Sequence, residues 1–158
     1  FPSTSARTHQ IISKLIQVGA DNGKIHSLVY DSNSINRLQI LGYCLDKMEV
    51  IENKISLFTL PKTIQNELKL TKGDTEGIVN YGLSIKEVIV SAFMREDDGS
   101  IKISFRSKGN FDVNDFARKN FNGGGHVNAA GGRSDLNLSQ TIDKFLSLLQ
   151  NNSAMPKE

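Results

Sequence analysis

The run Gly123-Gly124-Gly125-His126-Val127-Asn128-Ala129-Ala130-Gly131 constrains this chain more than any other stretch. Three glycines leading into a histidine and small residues make a poor core segment, so the chain must turn or open a surface here. Glycine reaches backbone conformations closed to other residues and lets main-chain N–H groups approach an anion without Cβ interference. A short helix starting near His126 would add exposed N–H groups and a positive dipole end to the same pull. On these residues alone two readings stand side by side: a phosphate or nucleotide grip, and a glycine turn carrying a solvent-facing histidine.

The rest of the chain reads as helices first and a sheet afterwards. Ser3, Thr4 and Ser5 offer caps for a helix carrying Ile11, Ile12, Leu15 and Ile16 on one face, with Gly19 as its stop. A second helix is expected after Asp21, and a third behind Ser34, where Ile35, Leu38, Leu41 and Leu45 repeat with helical spacing. The pattern changes at Met48-Glu49-Val50-Ile51 and again at Ile55–Leu60, which reads as two short strands after a boundary near Asp46 or Lys47. Pro61 opens a helix through Leu68, and a further helix is expected from Thr75 to about Leu83.

Val88–Met94 is almost continuously apolar, as a central strand covered on both faces requires. Asp97-Asp98-Gly99-Ser100 supplies the turn to Ile101-Lys102-Ile103-Ser104-Phe105-Arg106. The period of two in that strand sends Lys102, Ser104 and Arg106 to the face opposite the apolar residues. Val113, Phe116 and Ala117 give the next helix an inward face, capped by Asn110 or Asp112. Ser139 is a cap for a last helix that turns Ile142, Phe145, Leu146 and Leu149 inward, ahead of a loose tail from Gln150. The fold class is therefore α/β, a mixed sheet flanked by helices and preceded by a helical segment.

A chain of 158 residues can bury one sizeable core, or one core with a helical appendage. Its 38% hydrophobic and 23% charged residues are ordinary for a soluble globular protein. A net charge of +2 is too small for tight sequence-independent binding of long duplex nucleic acid, whereas a small anion needs only a local basic cluster. Cys44 is the single cysteine, which excludes an internal disulfide framework or a multi-cysteine zinc site and fits a cytoplasmic setting. No apolar run approaches a membrane span, and Phe1-Pro2-Ser3-Thr4 lacks the basic and apolar regions of a signal peptide.

Upstream of the glycines, Phe105-Arg106-Ser107-Lys108-Gly109 is followed by Asp112-Val113-Asn114. With Gly123-Gly124-Gly125-His126 and Ala129-Ala130-Gly131-Gly132, this series closely resembles the C-terminal, DHH-associated domain of DHH phosphoesterases, especially NrnA-type oligoribonucleases that also dephosphorylate pAp. The resemblance runs from about Arg7 to the final helix. Asn122 stands where the family usually carries a fourth glycine, and asparagine also tolerates a left-handed backbone. The resemblance implies that residues 1–46 are the tail of a catalytic domain and its connector, and that residues 47–158 are the substrate-binding domain. The absence of an initiator methionine then suggests a fragment of a longer chain.

Arg106 can hold two phosphate oxygens with its planar guanidinium, although from strand position alone a surface ion pair is the commoner role. The resemblance places Arg106 and Ser107 in the segment that holds the substrate's phosphate, with Lys108 as a flexible extra charge. His126 is implied to bind substrate by a hydrogen bond or by stacking on a base, with Gly123, Gly124 and Gly125 delivering it. Asn114 belongs to the same matching segment, yet it also suits the first turn of a helix. His9, His26 and His126 are scattered, and no acidic cluster joins them at metal-ligand spacing, so no catalytic or metal-binding residue is assigned in this chain.

In DHH phosphoesterases the manganese ligands belong to the N-terminal domain, whose motifs do not occur here. The resemblance therefore implies an intact enzyme that hydrolyses short oligoribonucleotides or pAp with manganese, and a partner catalytic domain for this half. This chain alone is then expected to be inactive. The same resemblance covers cyclic-dinucleotide phosphodiesterases and RecJ-type exonucleases. A non-catalytic RNA-binding module, as in the related domain of alanyl-tRNA synthetases, is the alternative outside enzymes. Substrate length, base preference and oligomeric state, a homo-oligomer included, are not fixed by these residues.

Overall fold

The computed structural model describes residues 4–150, so the cap offered by Ser3 and the tail beyond Gln150 lie outside the described residues. The chain divides after Ser34 into two compact units. In the first, α1 (Ala6–Gln17) is capped by Ser5, whose hydroxyl accepts from the Thr8 N–H while the Thr8 hydroxyl accepts from the Ser5 N–H. Gly19 ends the helix with a φ of 100°, which only glycine adopts without strain. Asp21 then caps α2 (Asn22–Tyr30) by accepting from the Lys24 N–H. Neither helix buries a single residue, and Ile11, Ile12, Leu15 and Ile16 are 42–51% exposed.

The second unit begins with α3 (Ile35–Asp46), which the sequence assigned to the connector. This helix buries Ile40 and Cys44 against the sheet, while Ile35, Leu38 and Leu45 stay exposed. Burial pushes the Cys44 thiol up to about 12, so it behaves as a small apolar side chain. Six strands follow: β1 (Glu49–Ile51), β2 (Ile55–Leu60), β3 (Val90–Asp97), β4 (Ser100–Ser107), β5 (Gly124–His126) and β6 (Ala129–Ser134). They lie in the order β1-β2-β3-β4-β6-β5, antiparallel throughout except for the parallel β2–β3 pair. The mixed sheet flanked by helices is thus the fold expected from the pattern.

Two short helices, α4 (Lys62–Glu67) and α5 (Ile78–Gly82), cross between β2 and β3. Pro61 stands at the N-cap of α4 rather than inside it. Gln65 pins α4 down by donating to the carbonyls of Leu60 and Glu96 at 3.0 and 2.7 Å. With α3 these helices cover one face of β2 and β3, where Phe58, Leu60 and Phe93 pack with Ile40, Cys44, Ile78 and Val79. The opposite face of the sheet is covered by α6 (Val113–Asn120) and α7 (Leu138–Gln150). Phe105 lies at its centre, with ring centroids 5.4–5.8 Å from those of Phe116, Phe121 and Phe145.

Asp112 caps α6 through the N–H groups of Asn114 and Asp115, as its position allows. The cap of α7 is Asn137, not Ser139: Asn137 Oδ1 accepts from the Gln140 N–H at 2.9 Å. No helix starts near His126. The free edge of β6 offers backbone pairing there, and β5 and β6 form a hairpin through Val127 and Asn128 instead. Two glycines make that hairpin fit. A Cβ on Gly123 would strike the Gly131 carbonyl oxygen and lie 2.6 Å from Gly132 Cα, and one on Gly125 would strike the Ala129 carbonyl oxygen. Asn122 enters the hairpin with φ 44°, the left-handed conformation that asparagine tolerates.

Candidate functional site

Register fixes which side chains share a face, because residues directly opposite one another in a ladder point the same way. Ser91 faces Arg106, Arg106 faces Ala129, and Ala129 faces His126. Arg106 and His126, some twenty residues apart in sequence, therefore stand in one row across β4, β6 and β5. The next row along the same face is Phe93, Ser104, Gly131 and Gly124, and the one beyond it is Arg95, Lys102 and Arg133. At its β2 and β3 end this face is closed by helices. Over β4, β6 and β5 it is open, with Lys102, Arg133 and His126 exposed.

The open part forms a cleft of about 470 Å³ whose lining includes Thr75, Arg95, Lys102, Ser104, Gly124 and Arg133. Thr75 is brought there by a loop that Arg37 clamps, donating to the carbonyls of Gly73 and Glu76 at 2.6 and 2.9 Å. Lys102 Nζ lies 2.6 Å from Asp97 at the rim, and this hydrogen bond holds the Asp97 carboxyl below its ordinary range. Arg133 Nε is 3.9 Å from Asp135. Arg95 makes no ion pair within 4 Å among the described residues, but its charge also helps lower Asp97, two residues along the same face.

Of the residues singled out from sequence, Gly123 and Gly124 line this cleft, while Arg106 and His126 flank it in their own row. Arg106 is half-buried, one guanidinium nitrogen donating to the Phe105 carbonyl at 2.8 Å. The others brace the site. Ser107 is buried, and its hydroxyl donates to the Phe111 carbonyl at 2.6 Å and accepts from Asn128 Nδ2 at 3.0 Å. Its N–H is also taken, by the Asn128 carbonyl at 3.2 Å. Lys108 reaches back to the Ile85 carbonyl at 2.6 Å, so its charge ties a loop to the end of β4. Asn114 accepts from the Gly125 N–H at 2.9 Å and from Arg118 Nε at 3.0 Å, anchoring the glycine hairpin to α6.

Arg95 and Arg133 join the cleft without having been singled out from sequence. Arg133 carried a usable signal, since it follows Gly131 by two in a strand and so shares its face. Arg95 is placed by cross-strand register alone. Among the described residues no group of three or more histidine, cysteine, aspartate or glutamate side chains could hold a metal ion, and the residues present do not fit a manganese site. No helix among them is long and apolar enough to cross a membrane.

The fold of this chain is shared with known proteins. A crystal structure of an exopolyphosphatase-related protein from Bacteroides fragilis superposes with a TM-score of 0.89 at 40% identity, over 95% of this chain and 44% of that one. The bifunctional oligoribonuclease and PAP phosphatase NrnA of Bacillus subtilis is 28% identical over 131 residues, 83% of this chain and 41% of that protein. The pGpG-specific phosphodiesterase PggH from Vibrio cholerae shares the fold, with a TM-score of 0.53 at 15% identity over 91% of this chain and 50% of its own. This chain spans less than half the length of the first two. Residues 55–153, which run from β2 through the cationic strands and the glycine hairpin to α7, match the DHHA1 domain, and the chain belongs to that family.

Proposed function

We propose that this chain is the substrate-binding half of a manganese-dependent phosphoesterase that hydrolyses short oligoribonucleotides and pAp. The observation that carries the reading is the single row joining Arg106 to His126 on the uncovered half-face, beside a glycine hairpin that leaves the surface open. The name of the Bacillus subtilis relative supplies the substrate class. Arg106 presents a planar, permanently charged donor pair to two oxygens of a terminal phosphate, and His126 hydrogen-bonds a third or stacks on the base. Their contribution is position and charge neutralisation. Manganese, which would supply an activated water, is held in this proposal by an N-terminal catalytic domain outside the chain, in a cytoplasmic enzyme.

The test has two arms. The isolated chain is expected to show no hydrolysis of pAp or a dinucleotide with added manganese, while NMR titration with pAp is expected to shift the resonances of Arg106 and His126. Robust turnover by the pure chain, or shifts confined to surfaces remote from both residues, overturns the assignment. A second reading, hydrolysis of inorganic polyphosphate, draws on the name of the 40% identical relative. Profiling the intact protein against polyphosphate, oligoribonucleotides of graded length, cyclic dinucleotides and pAp separates the two, and also tests the exonuclease and dinucleotide phosphodiesterase alternatives.

A further inference from the structure

Gly131 is a glycine that the fold does not need. Its φ lies outside the left-handed region, and a Cβ built on it would meet only the Ile103 carbonyl oxygen, at an ordinary 3.7 Å. Neighbouring Gly123 and Gly125 are required by close backbone approach, and Gly132 by Phe121, whose Cβ would lie 2.9 Å from an added Cβ. What a side chain at 131 would fill is the open space above the sheet, midway between the Arg106–His126 row and the Arg95–Lys102–Arg133 row. Those rows are four residues apart along β4, about 13 Å at roughly 3.3 Å per residue. The floor between them is Ser104, Gly131 and Gly124, and the cleft lining at the far end holds three cations, Arg95, Lys102 and Arg133, with Asp97 2.6 Å from Lys102 and Asp135 3.9 Å from Arg133.

Resting on the reading above, we propose that Arg95, Lys102 and Arg133 form a second anion site, reached along a groove floored by Gly131 and Gly124, for backbone phosphates of an oligoribonucleotide whose terminal phosphate sits at Arg106 and His126. The separation exceeds that of the two phosphates of one nucleotide, so pAp engages only the first row, while an extended strand of several nucleotides reaches both. A planar guanidinium on either side of the Lys102 ammonium suits phosphodiester oxygens. The bare floor lets the sugar-phosphate chain lie close to the sheet. The second row thus sets preference for oligonucleotide length, and the first sets recognition of the end.

Binding of pAp and of 5′-phosphorylated tetraadenylate to the full 158-residue chain, measured calorimetrically over a range of salt concentrations, tests this. The wild-type chain is expected to hold the tetranucleotide at least about tenfold more tightly than pAp, with the salt dependence steeper by about 0.7 in log–log slope for each added phosphate contact. Replacing both arginines (Arg95→Gln with Arg133→Gln) removes that advantage and the extra slope, and leaves pAp affinity within about twofold. Gly131→Leu does the same with an unchanged thermal midpoint, a result that a structural role for the glycine would not give. Equal losses for both ligands, or an undiminished preference for the tetranucleotide in these variants, overturn the second site while leaving the first intact. Competition by tripolyphosphate as strong as by the tetranucleotide overturns the oligoribonucleotide assignment. Failure of the wild-type chain to bind either nucleotide overturns the functional reading itself.

Discussion

The two faces of β4 and β6 are built from alternate residues of the same strands, and they obey opposite rules. On one face Ile101, Ile103, Phe105 and Ala130 are buried beneath α6 and α7, where size and shape decide everything. On the other, Lys102, Ser104, Arg106, Gly131 and Arg133 are exposed or half-buried around the cleft, and what matters is charge and empty space. The parity of one strand keeps the requirements apart, so stability and recognition can be altered separately. That separation is the property to attack.

The largest effect is expected on the closed face. Phe105→Ala removes a fully buried ring that touches three others, and the loss should be about 3–5 kcal/mol, read as a fall in the urea midpoint. One residue along and on the other face, Arg106→Ala should change stability by no more than about 0.5 kcal/mol. In the intact enzyme it should nevertheless lower kcat/KM about tenfold to 150-fold, the equivalent of about 1.5–3 kcal/mol for a charge-assisted hydrogen bond. His126→Ala should behave alike, and Arg106→Lys should recover only part of the loss, because lysine keeps the charge without the two-pronged geometry. An Arg106 variant that unfolds would show the faces to be coupled.

Asn114 sharpens the boundary between them. Asn114→Ala leaves the Gly125 N–H and Arg118 without their acceptor, and about 0.5–1.5 kcal/mol should be lost, seen as faster amide exchange confined to the β5–β6 hairpin. The smallest effect belongs to the rim. Asp97 is held below its ordinary range by Lys102, so whatever stability this ion pair adds is present at neutral pH and lost as pH falls through the carboxyl's folded value. Asp97→Asn should flatten the acid side of the thermal-midpoint profile slightly and leave the neutral value nearly unchanged.

The face assignment of Arg106 is legible in the sequence because β4 alternates apolar and polar residues without interruption. The left-handed entry at Asn122 is legible for a similar reason, being a local choice made by residue type, whereas the sequence leaves the α6 cap open between Asn110 and Asp112 and the structure selects Asp112. The β5–β6 hairpin is not, since glycines carry no side chain to register a period and their pairing depends on a distant strand edge. Nor does sequence reveal that Ser107 and Lys108 spend their donors on Phe111 and Ile85, for those partners are set by how loops fold back. Asn137 and Ser139 are both good caps two positions apart, and only the geometry selects between them.

The single parallel pairing in the sheet also has a kinetic meaning. β3 joins β4 through Asp98 and Gly99 alone, and β5 joins β6 through Val127 and Asn128, whereas β2 must wait for the whole 61–89 crossover to close before it finds β3. Closing that long loop costs entropy before any contact repays it, so the antiparallel strands are expected to assemble first and β2 to dock last. Changes at Gly99 should then slow folding, while changes in α4 should mainly speed unfolding. On this order of events the cationic half-face is complete early, and the helices that close the other end of the sheet arrive around a surface already in place.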